Sequence, residues 1–316
     1  MSVLNDKHFH DEVAAYAWVE ARVWPNGPVC PHCGGVERIG KMGGKSTRIG
    51  AYKCYQCRKP FTVKIGTIFE ASHVPMHYWL QAMFLMTSSK KGISANQLHR
   101  TLGVTLKTAW FMAHRIREAM REGGLSPLGG EGKIVEADET YFGKKDGPAP
   151  TVTTTGRPFT KSGKTGPSHK RAVVALVERG GNVRSFHVQS ATKENVAAIV
   201  SENIVKETVL HTDESRLYNE IGATFAAHER VKHSAGEYVR GTVHTNTVEN
   251  VFSVFKRGMR GIYQHCAEKH LHRYLSEFDF RYNARQAKGI NDAARLDRVV
   301  MSVAGKRLTY ETTSAR

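Results

Sequence analysis

The sequence predicts an α/β chain built on a mixed β-sheet, with two smaller units ahead of it. Three observations carry this. Two Cys-x-x-Cys pairs lie within residues 1–74, residues 75–125 follow the helical period, and from about residue 131 strand-like and helical runs follow in the order β-β-β-α-β-α-β-α. The stretch Gly123-Gly124-Leu125-Ser126-Pro127-Leu128-Gly129-Gly130 has the composition of a linker. The chain therefore divides into 1–74, 75–125, 126–290 and a short tail, 291–316, expected to fray.

Charge narrows the class of partner. Against 29 Asp+Glu stand 46 Lys+Arg, a formal net charge of +17 over 316 residues. A surplus of that size points to a polyanion, and nucleic acid is the expected one; the plainer alternative is a highly charged soluble surface. No basic amphipathic helix suggests a membrane surface. No apolar run reaches the ~18 residues that a membrane span needs, and the first residues lack the apolar core of a signal peptide. The expected location is the cytoplasm, on the nucleoid when bound to DNA.

The pairs Cys30-Pro31-His32-Cys33 and Cys54-Tyr55-Gln56-Cys57 offer four thiolates to one tetrahedral Zn²⁺. His32 is a possible substitute ligand, but four sulfurs already complete the shell, so the site is expected to be structural. The short alternating stretches between and after the knuckles, Arg48 to Lys53 and Phe61 to Ile65, suit a small β-ribbon. So small a unit buries too little apolar surface to fold alone, and the metal would supply its folding energy. Arg58 and Lys59 stand where such a ribbon meets DNA. The fifth cysteine, Cys266, is alone, and an odd count argues against a disulfide framework.

Met76 to Met86 places Trp79, Leu80, Met83 and Phe84 at helical spacing. Ser94, with Gln97 three residues on, reads as an N-cap. Gly103 suits a turn, and Leu106 to Glu122 reads as a longer helix with Trp110, Ala113, Ile116 and Met120 inward. A helix, a glycine turn and a second helix make a helix-turn-helix pattern. On its second helix Lys107, Thr108, His114, Arg115 and Arg117 are the expected contacts to phosphates and base edges.

In the third segment Lys133 to Phe142 reads as a strand carrying Asp138. Arg171 to Val177 and Val183 to Gln189 are the next two strands, joined at Gly180-Gly181. Lys193 to Val205 reads as a helix, Thr208 to Asp213 as a fourth strand, Arg216 to Ile221 as a short helix, and Thr224 to His233 as the region of a fifth strand. A helix starts near Asn246, and Leu271 to Arg285 reads as one that covers the sheet. Lys144 to Arg171 is a Gly/Ser/Thr/Lys-rich loop, either an insertion or a basic arm.

This order is the ribonuclease-H-like arrangement, in which the first and fourth strands are neighbours, so Asp138 and Asp213 would meet at their ends. Glu249, on the helix from Asn246, would complete a triad of acids. Glu139 would point to the opposite sheet face from Asp138, and is the weaker candidate. Phosphodiester chemistry needs charge neutralised on both the attacking and leaving oxygens. Two Mg²⁺ ions about 3.5–4 Å apart do this, and hard Mg²⁺ takes oxygen ligands. Lys256 lies two helical turns beyond Glu249, on the same face, where it can meet a substrate phosphate.

With these residues in view, the chain resembles the bacterial insertion-sequence transposases of the ISXO type, with an N-terminal zinc ribbon and a DDE catalytic domain. The resemblance is carried by Cys30, Cys33, Cys54 and Cys57; by Val135-Glu136-Ala137-Asp138-Glu139-Thr140-Tyr141-Phe142-Gly143; by His211-Thr212-Asp213; and by His244-Thr245-Asn246-Thr247-Val248-Glu249 with Lys256-Arg257. It spans roughly residues 20–285. It implies Mg²⁺-dependent cleavage and strand transfer on double-stranded DNA, at the terminal inverted repeats of an element and at its target. It also implies a homo-oligomer, since two ends are joined, and Arg257 as a further DNA contact. Glu249 is the preferred third metal ligand and Asn246 the alternative; the two also match an N-x-x-E capping box. Two other functions fit the composition: a DNA-binding regulator or inactive relative, and a ribonuclease-H-fold nuclease or resolvase.

Overall fold

The computed structural model describes residues 3–146 and 169–309. Most of the Lys144 to Arg171 loop lies outside the described residues. The chain divides into two compact units, Met1–Arg121 with Ala284–Arg316, and Glu122–Asn283.

The first unit opens with α1 (Glu12–Val23), whose N-cap Asp11 accepts the Ala14 N–H at 2.7 Å. Then come the short antiparallel strands β1 (Ile39–Lys41), β2 (Tyr52–Cys54) and β3 (Pro60–Phe61), the expected ribbon. The helices α2 (Met76–Ser88), α3 (Ala95–Leu102) and α4 (Leu106–Met120) follow. Ser94 caps α3 by accepting the Gln97 N–H, Gly103 ends it in the left-handed region at φ 66°, and Thr105 caps α4.

Burial corrects the reading of α4. His114, Arg115 and Arg117 are buried at 0%, 5% and 2% exposure, so they cannot serve as the expected DNA contacts. Nearly the whole circumference of the second half of α4 is enclosed. Arg115 donates from Nη1 to the carbonyls of Ile68 and Glu70, both at 2.7 Å, and its guanidinium lies over Phe111. Only the first turn of α4 is open: Lys107 is exposed and Thr108 half-buried. Arg115→Ala is therefore expected to destabilise the unit by about 1–3 kcal/mol for each carbonyl left without a donor. Lys107→Ala should leave the denaturation midpoint unchanged; comparing the two melts checks this.

The second unit holds a five-stranded sheet of β4 (Ile134–Lys144), β5 (Lys170–Glu178), β6 (Val183–Val188), β7 (Val209–Thr212) and β8 (Ala227–Arg230), in the order β6-β5-β4-β7-β8. β4, β5 and β6 are antiparallel neighbours, while β7 runs parallel to β4 and β8 parallel to β7. This is the ribonuclease-H-like strand order. Helix α5 (Lys193–Asn203) packs on one face through Val196 and Val200, against Val135, Ala137, Val174, Leu176 and Leu210. The short α6 (Asn219–Gly222) and a hairpin of β9 (Val239–Arg240) and β10 (Val243–His244) come next. On the other face lie α7 (Asn246–Gly258) and α8 (Leu271–Asn283), meeting Val173, Ala175 and Val177.

The last helix, α9 (Asp292–Met301), corrects the expectation of a fraying tail. It packs within the first unit on α1, α2 and α4. Asp297 pairs with Arg22 at 2.6 Å, and beyond the helix Ser302 and Lys306 donate to the Ala119 carbonyl at 2.7 and 2.9 Å.

Candidate active site

Strand register brings the acids together. β4 and β5 pair Asp138 with Ala175, a residue of the sheet face that α7 and α8 cover; Glu136 and Thr140 share that face. The parallel pairing of β4 with β7 sets Glu136 opposite His211. Two residues further along β4 is Asp138, and Asp213 lies immediately past the end of β7, close enough to act on the Asp138 carboxyl. Its carboxylate accepts the Ser215 N–H at 2.9 Å, which fixes the turn. Glu249, in the first turn of α7, lines with Asp138 and Thr140 a cleft of about 420 Å³. Asn246 is exposed at the start of α7 and is not among the residues lining that cleft.

Further along α7 the cleft is basic: Lys256 and Arg257 from its last turn, and Arg260 beyond it. Arg260 lies in a π-helical turn, Met259–Tyr263, that continues α7. The motif did not single it out, since its distance from Glu249 has meaning only once α7 is known to continue. Burial and the nearby Arg260 pull the Lys256 ammonium below its usual range, and Asp138 opposes them. The cleft thus sets carboxylates beside cations, suited to a metal ion at one end and phosphates at the other.

Burial pushes the Asp138 carboxyl well above the usual carboxylate range, and Asp213, Glu139 and Glu249 add to it. Glu139 points to the α5 face, as its pairing with Val174 requires, yet burial and Asp213 raise it too, while Ser215 donates to it at 3.2 Å. Glu249 accepts from the Thr245 hydroxyl at 3.3 Å and lies 3.6 Å from His233 Nε2. The gathered acids repel one another, and hard oxygen donors of this kind fit a divalent cation such as Mg²⁺.

A carboxyl whose pKa the fold raises contributes stability below the ordinary aspartate value. That contribution is lost as pH rises through the raised value. Without added divalent ions, Asp138→Asn is therefore expected to raise the melting temperature at pH 8, by roughly 2–4 °C per kcal/mol of relieved cost. The gain should vanish below about pH 4, where aspartate is itself neutral. Calorimetry at the two pH values checks this, and equal melting at pH 8 would contradict it.

Sequence reasoning missed the acid two residues before Asp138. Glu136 is fully buried and takes the place of the expected Asn246/Glu249 capping box. The N-cap residue of α7 is Thr245, which makes no side-chain cap bond, and Glu136 accepts from Thr247 and Val248 instead. Arg179 pairs with Glu136 at 2.7 Å and sits between His211 and His244. Spacing alone held the signal: in a strand, residues two apart share a face.

In the first unit the four thiols of Cys30, Cys33, Cys54 and Cys57 lie within 4.8 Å of one another. Among the described residues this is the one cluster of potential ligand atoms that tight; Asp138 and Glu249 share the cleft without closing to such distances, and Asp213 is not among the residues lining it. Both knuckles end in a left-handed residue, Gly34 at φ 74° and Arg58 at φ 62°. The Cys57 and Gln56 backbone amides hold the Cys54 thiol down to about 7, favouring the thiolate that binds metal. Lys107 and Thr108 border a separate hollow of about 280 Å³ with His73, Trp79 and Phe111.

Comparison with known proteins agrees with both halves of this description. Residues 127–283 match the ISXO2-like transposase domain, and residues 10–60 the transposase zinc-ribbon domain. An uncharacterized protein in transposable element ISH50 of Halobacterium salinarum is 29% identical over 272 residues, covering 82% of this chain and 86% of that protein. Two solved structures are only faintly similar. A Mos1 transposase paired-end complex with left transposon end has a TM-score of 0.22 at 11% identity, covering 65% of this chain and 76% of that one. A pre-cleavage Mos1 transpososome has a TM-score of 0.19 at 10% identity, covering 64% and 75%. The fold assignment rests on the strand order above. Among the described residues, no helix is long and apolar enough to cross a membrane.

Proposed function

With a transposase zinc ribbon ahead of an ISXO2-like transposase domain, the chain belongs to the insertion-sequence transposases, and we propose that it cuts and rejoins DNA at the terminal inverted repeats of such an element. The observation that carries this reading is the cleft that Asp138 and Glu249 line together with Lys256, Arg257 and Arg260, with Asp213 close enough to Asp138 to act on its carboxyl.

Asp138, Asp213 and Glu249 are the residues to hold Mg²⁺, which when bound would polarise the phosphate and lower the pKa of the attacking hydroxyl. Glu249 is preferred over Asn246 because it lines the cleft. Lys256, Arg257 and Arg260 hold the phosphates on either side of the scissile one. Their charge offsets what develops on the phosphoryl oxygens and sets the strand in line for attack. The ribbon, with Zn²⁺ on its four thiolates, and the open first turn of α4 with Lys107 and Thr108 bind the double-stranded ends. A homo-oligomer follows from the need to hold two ends and a target together.

The test is a joining assay in Mg²⁺, on duplexes carrying the repeats that flank the gene. Cleaved ends joined to a target plasmid support the reading. Binding of those ends without cleavage would turn it into a regulator or inactive relative, and cleavage without joining into a nuclease.

A further inference from the structure

Glu136 and Arg179 form a buried network that the reaction itself does not require. The Glu136 carboxylate, 0% exposed, is on the same face of β4 as Asp138. Its Oε2 accepts the backbone N–H groups of Thr247 and Val248 at 2.8 and 3.0 Å, and its Oε1 the Thr247 hydroxyl at 2.8 Å. These amides belong to the first turn of α7, which has no partners of its own within the helix. The positive end of the helix dipole points at the same carboxylate.

Arg179 completes the arrangement. Its Nε donates to Glu136 Oε1 at 2.7 Å, its Nη1 to the Thr242 carbonyl at 2.6 Å, and its Nη2 to the His244 carbonyl at 2.9 Å. The same Nη2 lies 3.2 Å from His211 Nδ1 and 2.9 Å from His244 Nδ1. One guanidinium thus ties β4, β7 and the β9–β10 hairpin to the start of α7. A buried carboxylate without such partners would be costly, so the cluster stands or falls as a unit.

The position of Glu136 gives the network a purpose. On one side, two residues along a rigid strand, is Asp138. On the other, Val248, whose amide it holds, is the residue before Glu249. Glu136 is therefore a direct link between the strand that carries one acid and the helix turn that carries the other. We propose that Glu136, held by Arg179, is a positioning residue that sets α7 against β4 so that Asp138 and the acid of α7 share one divalent cation. This rests on the metal-dependent reading of the cleft.

The experiment measures Mn²⁺ binding to the zinc-loaded full chain by electron paramagnetic resonance, with hydrogen exchange at α7, for wild type, Glu136→Gln, Thr247→Val and Asp138→Ala. Gln keeps the volume but loses the charge that faces Arg179 and one acceptor. Its Mn²⁺ affinity is expected to fall roughly 10–100-fold, as for other groups that orient metal ligands. Exchange at Thr247 and Val248 should quicken, while affinity for the DNA ends stays within about twofold. Thr247→Val removes one hydroxyl and no charge, so it guards against misfolding of the first variant; it should lose Mn²⁺ affinity in the same direction, by less. Wild type that binds Mn²⁺ through Asp138, with both variants binding equally well, would overturn the proposal alone, whatever the exchange rates. Wild type that binds no more Mn²⁺ than Asp138→Ala would overturn the metal reading, and this inference with it.

Discussion

Replacing Asp138 or Asp213 with alanine is expected to reduce strand joining by at least roughly 1,000-fold while leaving affinity for the DNA ends nearly unchanged. A metal ion contributes several kcal/mol of transition-state stabilisation, and each ~1.36 kcal/mol is tenfold in rate. Asp138 lines the cleft and Asp213 follows β7 immediately; Glu136, the other acid on that face of β4, is committed to Arg179 and the amides of α7 and cannot replace them. Glu139, next to Asp138 in the chain, projects to the α5 face. On the proposed reading, DNA binding draws on the ribbon, the first turn of α4 and the basic residues of the cleft, which these substitutions leave in place. Joining yields and gel-shift affinities measured side by side check this. A loss of binding that parallels the loss of joining would mean that the aspartates support the fold instead.

The second large effect concerns the ribbon. Cys30→Ser, or removal of the metal by a chelator, is expected to unfold residues 30–61. The apolar cluster there is small: Cys30, Cys54 and Phe61 are buried, with Trp24, Ile39, Tyr52 and Ile65 against them. At about 1.5–3 kcal/mol for each fully buried side chain, it cannot offset the entropy of ordering the segment. Structural Zn²⁺ contributes about 10–16 kcal/mol in small units of this kind. Limited proteolysis with atomic absorption reads the result: zinc lost together with new cleavage between Cys30 and Phe61. A ribbon that resists protease without metal would contradict it.

The parts legible in the sequence are those that a period or a spacing encodes. Paired knuckles mark a thiolate cluster whatever surrounds them. The alternation of strand and helix placed Asp138 on the first strand and Asp213 at the end of the fourth, one residue beyond where the strand stops, because register follows from which residues must be buried. The same logic hid other things. In α4 the charge of His114, Arg115 and Arg117 suggested an exposed face, but a guanidinium that satisfies the carbonyls of Ile68 and Glu70 is as buried as a leucine. Composition cannot tell the two apart, since the partners lie some 45 residues away. Glu136 was overlooked for the same reason: a buried acid in a strand has meaning only beside Arg179 and the amides of α7. The β9–β10 hairpin is too short to carry a period, and α9 reads as a tail because its partners, α1, α2 and α4, are far away in the chain.

The most direct measurement is the anomalous diffraction of Mn²⁺ in crystals of the chain with a DNA end bound. Metal peaks are expected in the cleft, held by Asp138, Asp213 and Glu249, with a DNA phosphate against Lys256 and Arg260. An empty cleft, with the DNA lying elsewhere, would contradict this reading.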